Sequence, residues 1–91
     1  KLDENTVLTR AKNLSGWAFN KKENYLEKQF KFTDFSEAWG FMSRAALIAE
    51  KINHHPDWSN VYNSVTIKLR THDVDGVSDL DFKFAESIDK L

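Results

Sequence analysis

Val65-Thr66-Ile67-Lys68-Leu69-Arg70-Thr71-His72 alternates without a break, with Val65, Ile67 and Leu69 on one side and Thr66, Lys68, Arg70 and His72 on the other. A period of two predicts a strand with one face on a core and the other open. His72 falls on the side away from the core if the strand stays regular to its end. Asn63-Ser64 reads as a tight turn, and Trp58 to Tyr62 as a short partner strand before it. Towards the amino end, Tyr25 to Phe32 predicts a strand with Leu26, Phe30 and Phe32 on one face and Lys28 interrupting it. Trp17 to Phe19 is a fourth strand, across the polar turn Asn20-Lys21-Lys22-Glu23-Asn24.

Helices fill the intervals. Asp34 can cap a helix from Phe35 to Lys51, and Glu37 three residues later completes a capping-box pattern. Phe35, Ala38, Trp39, Met42, Ala45, Ala46 and Ala49 recur at the spacing of one helical face, and Phe41 and Ile48 widen that stripe to one side. The stripe is wider than packing on one sheet requires. Either a second subunit or a loop of the same chain would cover Phe41 and Ile48. Thr6 to Leu14 is a short helix carrying Val7, Leu8, Ala11 and Leu14, ending near Gly16. Asp73-Val74-Asp75-Gly76 reads as a turn. Ser78 can cap a last helix with Asp79 and Asp81 in its first turn and Leu80, Phe84, Ala85, Ile88 and Leu91 as its buried stripe. The order is α-β-β-α-β-β-α. Strands this short with tight hairpin links predict an α+β fold, a four-stranded antiparallel sheet with helices packed on one face.

Bulk properties narrow the function. Ninety-one residues make a single domain over 1–91. A chain of this length buries roughly 60–65% of its unfolded surface, so self-association is a natural further source of stability. Hydrophobic residues at 41% and aromatics at 13% fit a folded globule. Thirteen basic residues against fourteen acidic ones leave no basic excess for direct nucleic-acid binding. No apolar run is long enough to span a membrane, and no signal-peptide character is read. Without cysteine there is no disulfide or thiolate chemistry, which suits a reducing compartment such as the cytoplasm. The chain starts Lys1-Leu2 instead of on methionine, as a trimmed or processed end would.

All three histidines lie in two short motifs, Glu50-Lys51-Ile52-Asn53-His54-His55-Pro56-Asp57-Trp58 and Leu69-Arg70-Thr71-His72-Asp73. Imidazole, with an ordinary pKa of about 6.5, exchanges protons near neutral pH. His54 and His55 stand where a long helix stops, beside a proline that drives His55 towards extended geometry, and His72 stands where a strand stops. Element ends of this kind are where sites are commonly built. A metal reading competes, with Glu50, Asp57 or Asp73 as a carboxylate ligand. It is weakened because adjacent histidines in extended chain point apart and no His-x-His or His-x-x-x-His spacing occurs. No serine lies in a nucleophile elbow, and the three glycines are scattered, so no phosphate-cradling loop exists. Proton transfer without covalent chemistry is what remains.

The same motifs carry a family resemblance. Trp39-Gly40-Phe41-Met42, Ala49-Glu50-Lys51, His54-His55-Pro56-x-Trp58, Asn60-Val61-Tyr62-Asn63 and Val65-x-Ile67-x-Leu69-x-Thr71-His72 resemble pterin-4a-carbinolamine dehydratase. Weaker similarity reaches Gly16-Trp17, Lys28-Gln29-Phe30 and Ser78 to Asp81, so nearly the whole chain is covered. The resemblance implies a four-stranded antiparallel sheet backed by helices, a homodimer or homotetramer, and a pterin substrate. It implies that His54, His55 and His72 line the pterin pocket and that Pro56, Thr71, His72, Asp73 and Val74 contact the substrate. The implied reaction removes water from 4a-hydroxytetrahydrobiopterin to give quinonoid dihydropterin, in tetrahydrobiopterin recycling, with no metal or redox cofactor. His54 and His72 would move the protons and His55 would orient the ring. Pro56 and the backbone of Asp73 would frame the pterin. Glu50 and Asp81 could orient histidines, against the plainer alternatives of helix solubility and dipole compensation. Trp58 is read as core instead of as a stacking platform. Asn53 stands where some relatives carry Asp, which argues against an essential acid there. Animal relatives also serve as dimerisation cofactors of a homeodomain transcription factor through helical surfaces. That implies a transcription-factor partner and a nuclear location as the alternative role.

Overall fold

The computed structural model describes residues 1–91. Its elements are α1 (Glu4–Lys12), β1 (Ala18–Asn20), β2 (Tyr25–Lys31), α2 (Phe35–Ile52), β3 (Asp57–Val61), β4 (Ser64–Leu69) and α3 (Asp79–Asp89), with a 3-10 turn, His72–Val74, between the last two. All neighbouring strands pair antiparallel, in the order β1-β2-β4-β3. The predicted α+β architecture and element order are those observed.

Register explains why one face is buried. Leu26 pairs with Leu69, Lys28 with Ile67 and Phe30 with Val65, while Trp58 and Asn60 face Ile67 and Val65 from the other side. The alternate rows, Glu27 with Lys68 with Asp57 and Gln29 with Thr66 with Ser59, are polar and stay open. Helices therefore cover only the apolar face, as an antiparallel sheet permits. Val7 and Ala11 of α1, Ala38, Phe41, Met42, Ala45 and Ala49 of α2, and Phe82, Phe84, Ala85 and Ile88 of α3 meet Leu26, Val65, Ile67 and Leu69 in one core, against which Trp58 packs. Lys28 interrupts the core face because its ammonium leaves at the edge, 2.9 Å from Asp89, whose other oxygen accepts from the Trp17 indole at 2.9 Å.

Several sequence expectations need correction. Phe41 is buried in its own chain against Phe30 and Phe32, with ring centroids 4.7 and 5.0 Å away, so no partner is required to cover it. Ile48 also packs on the core. The large apolar α2 side chains left in solvent are Phe35 and Trp39, which the predicted stripe counts as inward, together with Leu47. In α3 the missed core residue is Phe82, whereas Leu80 and Leu91 are exposed. Leu8 of α1 is likewise exposed. The strand predicted to reach His72 stops at Leu69, because Thr71 pairs with Gly76 and the chain turns over His72–Val74. The hairpin turn sits at Tyr62-Asn63, one residue early, with Tyr62 in the left-handed region at φ 49°.

Candidate active site

Two chain ends build the site. Helix α2 closes on Asn53 in left-handed geometry (φ 52°, ψ 48°), and the His54 N–H reaches back 3.0 Å to the Ala49 carbonyl. That six-to-one bond is the Schellman arrangement. Asn tolerates the left-handed region better than most residues, which accounts for its presence at 53 on conformational grounds alone. The turn drops His54 onto the end of α3, and Pro56 leads the chain into β3.

Asp81 receives His54. The His54 Nε2 and Asp81 Oδ1 lie 2.5 Å apart, with His54 8% exposed and Asp81 fully buried. The second carboxylate oxygen accepts from the Ser78 N–H and from the Thr71 hydroxyl, both at 2.9 Å. Ser78 in turn caps α3, so Asp81 is the N3 member of a complete capping box. A buried carboxylate is tolerated only when its lone pairs are engaged, and here three donors engage it. A carboxylate oxygen accepts, so in the tautomer this bond favours, His54 donates through its Nε2–H, and no other group of the chain bonds its Nδ1. Asp81 thus stands in the first turn of α3, where its charge suits the helix dipole, and also bonds the His54 ring.

His55 is different. It is exposed, and its Nε2 lies 2.5 Å from Oε2 of Glu50, itself on the surface of α2. His72 is exposed on the 3-10 turn. A cleft of about 360 Å³ gathers Asn53, His54, His55, Pro56, Thr71, His72 and Asp73 from the two motifs. Val74 follows on the same turn and is not among its lining residues. Asp57, weighed above only as a metal ligand, also lines it, as do Arg70 and Leu80, which the sequence motifs do not place in the site. Arg70 adjoins Thr71-His72, a neighbour relation that could have drawn attention to it. Leu80 had been assigned inward because it matches the apolar period of α3. No group of three or more histidine, aspartate and glutamate side chains is arranged to hold a metal ion. The cleft offers imidazoles, hydroxyl and carboxylate partners and a flat proline wall, a set equipped to bind a polar heterocycle and move protons.

Comparison with known proteins identifies the family. The family described as Pterin 4 alpha carbinolamine dehydratase matches residues 1–91. A Rhizobium johnstonii protein provisionally named pterin-4-alpha-carbinolamine dehydratase is 49% identical over 90 residues, covering 99% of this chain and 89% of its own length. A Prochlorococcus marinus protein of the same provisional name is 54% identical over 81 residues, covering 89% of this chain and 82% of its own. The crystal structure of a transcriptional coactivator/pterin dehydratase from Brucella melitensis superposes with a TM-score of 0.96 at 42% identity, covering 99% of this chain and 96% of that one. A pterin dehydratase-like protein identified as a RuBisCO assembly factor shares the fold, with a TM-score of 0.71 at 22% identity, covering 82% of this chain and 87% of that one. The chain belongs to the pterin-4a-carbinolamine dehydratase family.

Proposed function

We propose that the protein dehydrates 4a-hydroxytetrahydropterins, 4a-hydroxytetrahydrobiopterin among them, by histidine general acid and base catalysis, as a step of tetrahydropterin recycling in the cytoplasm. The observation that carries this reading is the convergence of His54, His55 and His72 on one cleft, with His54 held by Asp81. In the reaction, the C4a–O bond breaks as the hydroxyl takes a proton and departs as water. The neighbouring nitrogen gives up its proton, and its electrons close the C4a=N bond of the quinonoid product. His54 suits the base, because its Nε2–H is engaged with Asp81 and Nδ1 is the nitrogen left to accept. His72, exposed on the turn, suits the acid that protonates the departing hydroxyl. Each contributes typically about 10²–10⁴-fold. His55, paired with Glu50, orients the ring. The Pro56 ring and the Asp73 backbone frame the flat heterocycle. None of these steps calls for a redox cofactor.

The test follows carbinolamine dehydration with the parent protein and with His54→Ala, His55→Ala and His72→Ala. Loss of turnover in the first and third supports the assignment, and parental rates in all three refute it.

A second reading has its own observation. Phe35, Trp39 and Leu47 leave apolar side chains of α2 in solvent, with Phe35 stacked on Trp39 at 6.2 Å between ring centroids. Large exposed aromatics on one helix suit a protein contact. We assign them to homodimer or homotetramer assembly, or to a partner such as a transcription factor in the nucleus. Phe35→Ser with Trp39→Ser should lower the solution mass or abolish partner binding while turnover per folded subunit persists.

A further inference from the structure

We propose that the cleft takes pterins whose side chain is anionic, a carboxylate or a phosphate, gripped by Arg70, Lys21 and Lys22 beyond the histidines. This inference rests on the pterin reading of the cleft and names the class of pterin. The histidine cleft, about 360 Å³, lies near the small end of ligand sites. A bicyclic ring occupies much of it, so a side chain must leave. Arg70 marks a way out. It lines the histidine cleft, a neighbouring recess of about 180 Å³ shared with His72 and Asp57, and a larger hollow of about 510 Å³ walled by Lys1, Lys21 and Lys22. The cleft and the recess share Asp57, Arg70 and His72, and the recess and the hollow share Glu23 and Arg70, so Arg70 is common to all three.

The lysine loop is tied in place. Asn24, in the left-handed region at φ 59°, accepts the Val77 N–H on its Oδ1 at 3.1 Å, which ties the β1–β2 turn to the segment after His72. Arg70 donates to the Glu23 carbonyl at 3.5 Å and pairs with Asp75, joining the same two loops. Its Nε is buried without an acceptor among the protein's atoms.

Charge decides what the hollow prefers. Arg70 and Asp75 engage each other, which leaves Lys1, Lys21 and Lys22 against Glu23 in the hollow. Lys21 and Lys22 are exposed, and neither has an ion-pair partner in the structure. A neutral polyol tail gains little there. A carboxylate or phosphate gains charge-assisted hydrogen bonds from several cations at once.

The experiment titrates the full chain, at low ionic strength, with three stable ligands. They are a neutral 7,8-dihydropterin bearing a polyol tail, its phosphate monoester, and 7,8-dihydrofolate, whose tail ends in carboxylates. We expect at least one anionic ligand to bind about tenfold more tightly than the neutral one, and the advantage to shrink in about 0.5 M salt. Preference for the ester alone marks a phosphate tail, and preference for dihydrofolate alone a carboxylate tail. Either supports the proposal. Lys21→Glu with Lys22→Glu, at two exposed positions, should abolish the advantage and leave the neutral ligand's affinity unchanged. Arg70→Ala should also abolish it. Equal affinity for all three ligands, or an advantage that survives the double charge reversal, overturns the proposal while leaving the pterin site intact. Failure of every dihydropterin to bind overturns the pterin reading along with it.

Discussion

His54 and His55 are adjacent and identical in kind, yet the fold gives them opposite surroundings. His54 is buried on a carboxylate that is itself fully buried and held by two further donors. The His55 side chain is 56% exposed and meets a Glu50 side chain that is 77% exposed. Both pairs show the same 2.5 Å separation, so distance says nothing about their worth. Solvent decides. A surface pair is screened and loses side-chain entropy on forming, whereas a buried carboxylate deprived of its donors has no water to replace them.

The comparison breaks most readily at His54. His54→Ala is expected to lower dehydratase turnover by about 10²-fold or more, read in a steady-state assay, against a smaller loss for His55→Ala. Equal losses would mean that burial does not set the roles. Next comes Asp81→Ala, which strands His54 Nε2, the Ser78 N–H and the Thr71 hydroxyl together. A destabilisation of about 3 kcal/mol in urea unfolding is expected, along with loss of turnover in whatever protein remains folded. Glu50→Gln should change stability by less than about 0.5 kcal/mol in the same measurement and turnover only modestly. A large effect there would make the surface pair a true part of the site.

The smallest effect concerns a carboxylate that titrates in the open. Asp3 caps α1, and accepting the Thr6 N–H at 2.8 Å holds its carboxyl below the ordinary value of 3.8. A depressed folded value means that Asp3 stabilises α1 above the unfolded value and that this contribution disappears as pH falls through the folded one. Asp3→Ala should therefore speed amide exchange in the first turn of α1 at pH 7, and much less so near pH 2. Exchange in α2 around His54 should be untouched in both conditions.

Periodicity carried the fold because it reports local geometry. The alternation of Val65, Ile67 and Leu69 and the Ser78 cap are visible without knowing what packs where, and each element lies within a few residues of its expected place. Periodicity failed where burial depends on a distant surface. Trp39 and Phe41 lie two residues apart and both look inward, but only Phe41 meets Phe30 and Phe32 on the covered face of the sheet. Leu80 keeps the apolar period of α3 yet opens onto the cleft, while Phe82 takes the buried place. The alternation continues through Arg70 to His72 although β4 ends at Leu69, because nothing local signals the bridge from Thr71 to Gly76.

By itself the chain determined its elements, their order and the antiparallel sheet, because helical period, strand period and caps act over a few neighbouring residues. Tertiary structure alone decided which histidine is locked and which is open, that Asp81 serves both a helix cap and a ring, and that Arg70 joins the cleft. Those outcomes depend on which surfaces exclude water, and exclusion of water is settled only when segments far apart in the chain close on one another.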